Sequence, residues 1–250
     1  MKWFEQINES SFPASDERDK ALFRILPFDA LLQMLNEKEN TLVRTSMWED
    51  VYENFIFKEE IIFKGKAHSV ESLASRCYGQ CWTTKMSSDA LWRIYSPDKK
   101  SVRIKTTIGR LWDSILPEKG GGQFSLGKVQ YFSQTQIRND LIDSSPFKLE
   151  DIGNLVVSSF FAKRSSFSHE SEYRLIFFSN EGNDDKGKMV KTIKLDDPLS
   201  FIINIYFDPR AEKAYVDRCT TILVKAFGYP ANRIYKSSLY DFKPCTIEIR

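Results

Sequence analysis

Short apolar runs alternate with helical patterns of apolar residues along this chain, and that alternation restricts it to folds that combine a sheet with helices. Near the C-terminus, a strand-like run at residues 201–207 precedes a helical pattern at 211–227 and a short strand-like run at 233–236. Strand–helix–strand units usually bring their two strands together in parallel. We therefore predict a parallel pair of strands in this part of the chain.

Two other strand-like runs, residues 172–179 and 188–195, flank a polar segment and are typical of an antiparallel hairpin. These patterns predict an α+β fold: a mixed, mainly antiparallel sheet flanked by helices. We expect residues 1–20 to form an N-terminal extension and residues 21–250 a single domain. The remaining predicted elements are strands at 41–45, 78–83, 101–106 and 127–132, helices at 27–36, 87–95, 108–115 and 149–163, and loops at 117–122 and 180–188.

The composition is that of a globular protein with ample material for a core. Hydrophobic residues make up 42% and aromatic residues 14% of the 250 residues. The 36 Lys and Arg residues nearly balance the 34 Asp and Glu residues, so the net charge of +2 gives no general attraction to nucleic acid. A surface that binds nucleic acid would have to be local.

No apolar run reaches the roughly 20 residues that span a bilayer. The first residues also lack the apolar stretch of a signal peptide. The cysteines are scattered, with neither a disulfide framework nor zinc-finger spacing, at Cys77, Cys81, Cys219 and Cys245. We therefore expect a cytoplasmic protein with reduced thiols, no bound metal and no membrane segment.

Three stretches combine aromatic with charged residues, and each has a structural and a functional interpretation. In the first, residues 44–53, Trp48 follows Arg44 shortly after a strand. The structural interpretation is a strand-to-helix turn with Trp48 in the core. In the functional interpretation, Arg44 binds a phosphate through its planar guanidinium, with Trp48 beside it in the site.

The second stretch places Thr83 and Thr84 at a strand end, followed by Trp92 and Tyr95 at helical spacing. Packing of a helix on a sheet would explain both rings. In the functional interpretation, the rings form an aromatic wall beside the threonine hydroxyls and stack a base or a nicotinamide.

The third stretch, residues 163–174, leads from Lys163 and Arg164 into Glu170, Glu172 and Arg174. Strand alternation places the last three on one face. On a flat surface they would form exposed ion pairs of little energetic consequence. In a concave site, the two carboxylates would have shifted pKa values and could be catalytic.

Eight short segments carry a resemblance to a known family: 23–25, 48–53, 81–82, 91–96, 102–107, 161–164, 170–174 and 237–240. Together they resemble the bacterial DUF2971 family, a domain of unknown function found in mobile and defence-associated gene neighbourhoods. One departure is Asp50-Val51, where many members have Asp-Pro. The family supplies no established catalytic residues. The resemblance implies a bacterial effector or toxin in antiphage defence, with a protein partner from the same system.

The order of Arg44, Thr83 or Thr84, and Glu170 with Glu172 is also similar, more weakly, to ADP-ribosyltransferases. That similarity implies NAD as the substrate. Glu172 would hold a ribose hydroxyl and face the positive charge that develops on the sugar, while Glu170 would orient or deprotonate an acceptor. Arg44 would hold the pyrophosphate, and Trp92 or Tyr95 would stack the ring.

Two other functions fit the sequence, which leaves open whether the protein is an enzyme. The basic residues near Trp92 and Tyr95 would suit a module that binds nucleic acid or a nucleotide without catalysis. These are Lys99, Lys100, Arg103, Lys105 and Arg110, with Lys163 and Arg164. A metal-dependent nuclease would instead gather a divalent ion with Asp50, Glu53, Glu170 and Glu172.

Overall fold

A nine-stranded sheet forms the centre of the structure, which is a computed structural model. The structure describes residues 15–63, 65–116, 121–142, 152–180 and 187–247. Within these residues, each strand pairing of the large sheet is antiparallel except that of the two most C-terminal strands. Helices pack on both faces of the sheet, so the predicted α+β fold is confirmed.

Four helices begin and end within two residues of the predicted positions, namely those predicted at 27–36, 87–95, 108–115 and 211–227. Ser88 caps one of them, because its side chain accepts a hydrogen bond from the Leu91 N–H at 3.3 Å. Gly228 ends the last helix in the left-handed region at φ 66°. The helices are α1 (Phe28–Glu37), α2 (Asp89–Tyr95), α3 (Ile108–Ile115), α4 (Gln134–Ile142), α5 (Ile152–Ser159), α6 (Pro198–Phe201) and α7 (Lys213–Phe227).

The strands are β1 (Ala21–Leu26), β2 (Glu39–Arg44), β3 (Glu60–Phe63), β4 (Lys66–Ser69), β5 (Cys77–Thr83), β6 (Val102–Thr107), β7 (Gly122–Lys128), β8 (Gln130–Phe132), β9 (Ala162–Arg164), β10 (Glu172–Ser179), β11 (Val190–Lys194), β12 (Asn204–Phe207) and β13 (Ile234–Lys236). The large sheet has the order β11-β2-β5-β1-β6-β12-β13, and β10 lies between β5 and β7. The remaining strands form two small sheets, β3 with β4 and β8 with β9.

The large sheet splits along one edge of β5. At its start, β5 pairs with β2 through Gly79 and Tyr78. At its end it pairs with β1 at a single position, where Thr83 lies opposite Phe23. From there β1 follows β6 over six residues. The sheet therefore opens a gap between β1, β2 and the middle of β5.

A buried amide network spans this gap on the β2 side. The Gln80 side chain donates hydrogen bonds to Asn40 Oδ1 at 2.6 Å and to the Thr41 carbonyl at 2.9 Å. It also accepts a hydrogen bond from Trp82 Nε1 at 2.8 Å. Buried amides need such partners, because an unsatisfied one costs about 1–3 kcal/mol. The network thus holds β2 against β5 where the strands begin to diverge.

Each face of the sheet carries its own apolar core. On one face, Tyr173, Leu175 and Phe177 of β10 pack with side chains from α1, α3 and α7. On the other face, Ile176 packs with side chains from α4 and α5 and from a 3₁₀ segment, Val51–Lys58. Because side chains alternate along a strand, this second face also receives Glu172 and Arg174.

Four predicted elements differ from the structure, whereas the parallel pair β12–β13 is confirmed. The predicted strand 127–132 is divided between β7 and β8, which lie in different sheets. The hairpin is wrong: β10 pairs with β5 and β7, and β11 pairs with β2. Buried strand β10 has a partner on each edge, so no edge is left for β11. The predicted helix 149–163 is also wrong at its end, because residues 162–164 form β9, and residues 201–207 contain the end of α6 before β12. Residues 149–151, most of the loop at 117–122 and most of the segment 180–188 lie outside the described residues.

We expect Gln80→Met to destabilise the protein by about 1–3 kcal/mol, because Asn40 and Trp82 Nε1 lose a buried partner. Urea unfolding would measure the change in free energy. Gln33→Met, at an exposed position on α1, serves as the control and should change stability by less than about 0.5 kcal/mol. Equal effects of the two substitutions would contradict a structural role for the amide network.

Candidate active site

A cavity of about 250 Å³ occupies the gap in the sheet. Its walls come from β1, β2, β5, α2 and the entry to β10. Polar and charged side chains meet apolar and aromatic ones in its lining, which includes Arg24, Trp48, Trp82, Tyr95, Glu170 and Glu172. Concave sites with a few convergent polar groups are the usual form of small-molecule sites.

The two glutamates enter the cavity wall through a sharp change of backbone direction. Glu170 ends a 3₁₀ turn, Ser171 is left-handed with φ 46°, and Glu172 begins β10. Thr83 and Thr84 hold this corner, since their hydroxyls donate to the Glu170 carbonyl at 2.5 Å and the Ser171 carbonyl at 3.3 Å. Both carboxylates are buried, so they line a cleft and not a flat surface.

The Lys163 ammonium lies at the centre of a buried ion cluster. It contacts Glu172 at 2.5 Å, Glu170 at 2.6 Å and Glu53 at 3.2 Å. Arg174, which has no exposed surface, contacts Glu172 at 2.7 Å and also pairs with Glu53. Three carboxylates therefore face two cations, which leaves one negative charge uncompensated.

The two cavity carboxyls have pKa values that are displaced in opposite directions. Burial and the neighbouring Glu172 charge raise the pKa of Glu170 to about 7. Burial also opposes ionisation of Glu172, but Arg174, the hydrogen bond with Glu170 and Lys163 hold its pKa well below the usual range. At neutral pH, the Glu172 carboxyl is therefore ionised, while the Glu170 carboxyl is near the midpoint of its titration. A pair of carboxyls separated in this way can divide acid–base and electrostatic roles.

Arg24 on β1 lines the same cavity without a carboxylate partner. Among the described residues it forms no hydrogen bond and no ion pair. Burial lowers the pKa of its guanidinium to about 10, still above neutrality. An uncompensated cation in a partly desolvated cavity favours an anionic ligand.

Trp48 forms part of the cavity wall because Gly79 leaves room for it. A Cβ at Gly79 would lie 2.5 Å from Trp48 Cζ2. The indole also covers Arg174, whose guanidinium carbon lies 4.7 Å from the ring centroid. The ring therefore shields the ion cluster while it lines the cavity.

The structure brings most of the sequence-predicted residues to one place. Glu170, Glu172, Trp48, Thr83 and Tyr95 line the cavity. The Tyr95 hydroxyl donates to Glu170 Oε1 at 3.3 Å, while the residue stays half exposed at the cavity rim. Lys163 and Arg174 support the glutamates from behind.

Other predicted residues lie outside the cavity lining. Arg44 donates a hydrogen bond to the Tyr78 hydroxyl at 3.2 Å. Trp92, which belongs to α2, is fully buried. Thr84 is exposed and contacts the Ser171 backbone. Arg164 pairs with Asp50 at 2.9 Å and covers the Tyr52 ring.

The proposed basic surface around Trp92 and Tyr95 does not form as one patch. Arg103 is buried among aromatic rings, and Arg110 donates to the Ser200 carbonyl. Lys99 and Lys100 are exposed in the turn after α2, and Lys163 is buried.

The carboxylates proposed for a nuclease are engaged by cations. In the part of the chain that the structure describes, no group of three or more His, Cys, Asp or Glu side chains is arranged to hold a metal ion. A divalent ion at Glu53, Glu170 and Glu172 would have to displace both Lys163 and Arg174. The thiol of Cys81 lines the cavity, but burial raises its pKa to about 12, which disfavours a nucleophilic thiolate.

Sequence reasoning did not assign Arg24 or Glu53 to this site, although Glu53 was considered as a metal ligand. The sequence does contain a feature that could have indicated Arg24. It is the one charged residue of the apolar strand ALFRIL, and no acidic residue on that strand could pair with it. The contact between Glu53 and Arg174 joins residues far apart in the chain, so no local pattern could reveal it.

Comparison with solved structures finds DarT from Thermus sp. 2.9, in complex with NAD+, with ADP-ribosylated ssDNA and with carba-NAD+. The TM-scores are 0.38, 0.38 and 0.36, and the sequence identities are 11%, 11% and 10%. The matches cover 87% of this chain and 95%, 94% and 94% of the DarT chains. At these TM-scores the similarity does not establish a common fold.

No family model matches the sequence, and no curated protein matches it significantly. The resemblance to the DUF2971 family therefore has no support from these comparisons. Within the described residues, no helix is long and apolar enough to cross a membrane.

We expect Lys163→Met to lower stability at pH 7 by about 3–5 kcal/mol, because three buried carboxylates lose their shared cation. Without that ammonium, the folded-state pKa values of Glu170 and Glu172 rise, so the folded variant takes up protons as the pH falls. Its deficit relative to wild type should therefore shrink at pH 5, as measured by urea unfolding.

Lys213→Met is the matched control, since the Lys213–Asp217 pair is exposed and contributes little. A Lys163→Met deficit that is small, or that grows as the pH falls, would contradict the assigned charge state of the cluster.

Proposed function

We propose that the protein consumes NAD by cleaving the bond between nicotinamide and ribose and transferring ADP-ribose to an acceptor. One observation carries this proposal: a carboxyl pair with opposite pKa displacements faces a cavity that also contains Arg24, which has no ion pair among the described residues. The pair offers a fixed negative charge and an adjustable proton acceptor, and the cation offers a partner for a phosphate.

The cavity's size fits part of a dinucleotide and not the whole. Ligand pockets commonly measure about 300–1,000 Å³, and this cavity measures about 250 Å³. A nicotinamide ring and its ribose would occupy it, with the Trp48 and Tyr95 rings available for contact. Arg24 would then hold a pyrophosphate oxygen, the role that the sequence assigned to Arg44.

Cleavage breaks the bond between the ribose C1′ and the nicotinamide nitrogen. The bonding electrons pass to the nitrogen, neutral nicotinamide leaves, and positive charge develops on the sugar. The Glu172 carboxylate is suited to stabilise that charge, because Lys163 and Arg174 keep it ionised and immobile. A carboxylate has about four lone-pair sites, so Glu172 can also accept a hydrogen bond from a ribose hydroxyl.

Glu170 is suited to the second half of the reaction. An acceptor hydroxyl or amine that attacks C1′ must lose a proton as the new bond forms. With a pKa of about 7, Glu170 can take that proton near neutral pH. The Tyr95 hydroxyl, which donates to Glu170 at 3.3 Å, would orient the carboxyl toward the acceptor.

We expect purified protein to release nicotinamide from NAD, with or without added cell lysate, and Glu172→Gln to reduce release at least about 100-fold. Chromatography would quantify nicotinamide. Arg24→Gln should mainly raise KM, because it removes an anion contact to the substrate and breaks no ion pair among the described residues. Arg44→Gln, at the position chosen from sequence, should have the smaller effect because Arg44 lies outside the cavity lining.

Circular dichroism and thermal unfolding establish that each variant is folded. If folded wild-type protein releases no nicotinamide under any condition, the proposed reaction is wrong. A ligand-dependent rise in Tm with NAD but without release would instead support a nucleotide-binding module.

The kcat/KM for ADP-ribose transfer should rise with pH between about 6 and 8, because it reports the free enzyme, in which Glu170 must be ionised to accept a proton. Glu170→Gln should lower the rate and remove most of this dependence. A pH–rate profile of both proteins would measure it. An unchanged profile in the variant would assign the titration to another group.

The biological setting remains a prediction from the sequence. A cytoplasmic effector role in bacterial defence, with a protein partner, rests on the DUF2971 resemblance alone. The proposed chemistry does not depend on it.

A further inference from the structure

Glu53 belongs to the buried ion cluster but does not line the cavity. Its carboxylate contacts the Lys163 ammonium at 3.2 Å and pairs with the Arg174 guanidinium. These are the same two cations that hold Glu170 and Glu172. A ligand in the cavity would contact the latter two carboxyls and not Glu53, so Glu53 can act on the chemistry only through the cluster.

Local structure fixes Glu53 beside β9. It lies in the 3₁₀ segment Val51–Lys58, at whose start Asp50 pairs with Arg164 at 2.9 Å. Two consecutive residues of β9, Lys163 and Arg164, are thus paired with two acidic residues of the same turn. The next residues of the segment belong to the apolar core, so Glu53 has little freedom to leave the cations.

The number of cation contacts differs among the three carboxyls. Glu53 and Glu172 each contact both Lys163 and Arg174. Among the described residues, Glu170 contacts Lys163 as its only cation. Two cations cannot neutralise three carboxylates in a buried environment, so one carboxyl binds a proton most readily. The carboxyl with the fewest cation contacts is Glu170.

The other titratable groups around Glu170 and the cavity keep their charge states near neutral pH. They are Arg24 from β1, Cys81 from β5, Tyr95 from α2, Tyr131 from β8, Lys163 from β9, and Glu172 and Arg174 from β10. Burial raises the pKa values of the two tyrosines and of the thiol, so they stay neutral. Attraction within the cluster outweighs the cost of burial for its cations and for Glu172, and burial lowers the pKa of Arg24 only to about 10. His169 is exposed, so solvent screens any charge on it.

We propose that Glu53 is a positioning residue for this site: its charge occupies Lys163 and Arg174, leaves the cavity carboxyls short of one cation and so places an exchangeable proton on Glu170. With Glu53 neutral, two cations would balance two carboxylates, and Glu170 would be ionised well below neutral pH. The catalytic use of this proton site rests on the proposed function, in which Glu170 takes a proton from the acceptor. The charge arrangement itself does not depend on NAD.

The test is a titration of the glutamate side chains by carbon NMR, in protein labelled at the carboxyl carbon and without NAD. In wild-type protein, the signal that reports a pKa of about 7 should be the one that disappears in Glu170→Gln. Glu53→Gln should lower that midpoint by about one unit or more, which weakens proton binding at least about tenfold, because it removes a like charge and frees both cations for the cavity pair. Glu53→Asp keeps the charge and should restore most of the difference.

Glu49→Gln is the matched control. It removes the same charge from a neighbouring position, but Glu49 is exposed, so the Glu170 midpoint should move by less than about 0.3 unit. In the proposed reaction, the rise of kcat/KM with pH should move down in Glu53→Gln by the same amount as the NMR midpoint. A purely structural role of Glu53 would change stability and leave both values where they are.

An unchanged Glu170 midpoint in folded Glu53→Gln would overturn the inference. So would a wild-type titration in which the Glu53 signal changes near neutral pH in place of the Glu170 signal, a result that does not need the variant to fold. A lowered midpoint in protein that releases no nicotinamide would support the role of Glu53 and refute the proposed reaction alone.

Discussion

The ammonium of Lys163 is the contact on which the site depends. It joins three carboxylates from separate segments: Glu53 from a 3₁₀ segment, Glu170 from a turn and Glu172 from β10. Bringing these charges together without a cation would be prohibitive in a buried environment. Lys163 and Arg174 supply two positive charges against the three carboxylates, which leaves one excess negative charge. The proton on Glu170 neutralises that charge, so the raised pKa of Glu170 follows from burial and from the excess carboxylate in the cluster.

The cavity depends on a second constraint, the split in the sheet. Continuous pairing of β5 with β1 or β2 would close the gap that the cavity occupies. Gln80 holds β2 in place through side-chain hydrogen bonds near the point where backbone pairing stops. Trp48 then fills part of the other face, where Gly79 has no side chain. The hydrogen bonds of Gln80 thus hold the gap open, and the missing Cβ at Gly79 lets Trp48 form one wall of the cavity.

Local patterns predicted the fold class and the parallel pair β12–β13, because strand alternation acts over a few residues. They also singled out Glu170 and Glu172, which line the cavity. They failed for the hairpin, because residues adjacent in the chain gave no sign that β10 has partners on both edges. The proposed anion contact, Arg24 in place of Arg44, likewise depends on the strand order. Each arginine belongs to a strand, and local patterns do not tell which of the two side chains borders the cavity.

The charge of the cluster also bears on how the proposed reaction would proceed. The nicotinamide ring of NAD carries a positive charge, and a cation beside Glu170 and Glu172 favours ionisation of both. Substrate binding would therefore lower the pKa of Glu170 and release its proton before the glycosidic bond breaks. When neutral nicotinamide leaves, the positive charge passes to the sugar and still faces the same carboxylates. The excess negative charge of the cluster would thus serve binding, cleavage and proton transfer in turn.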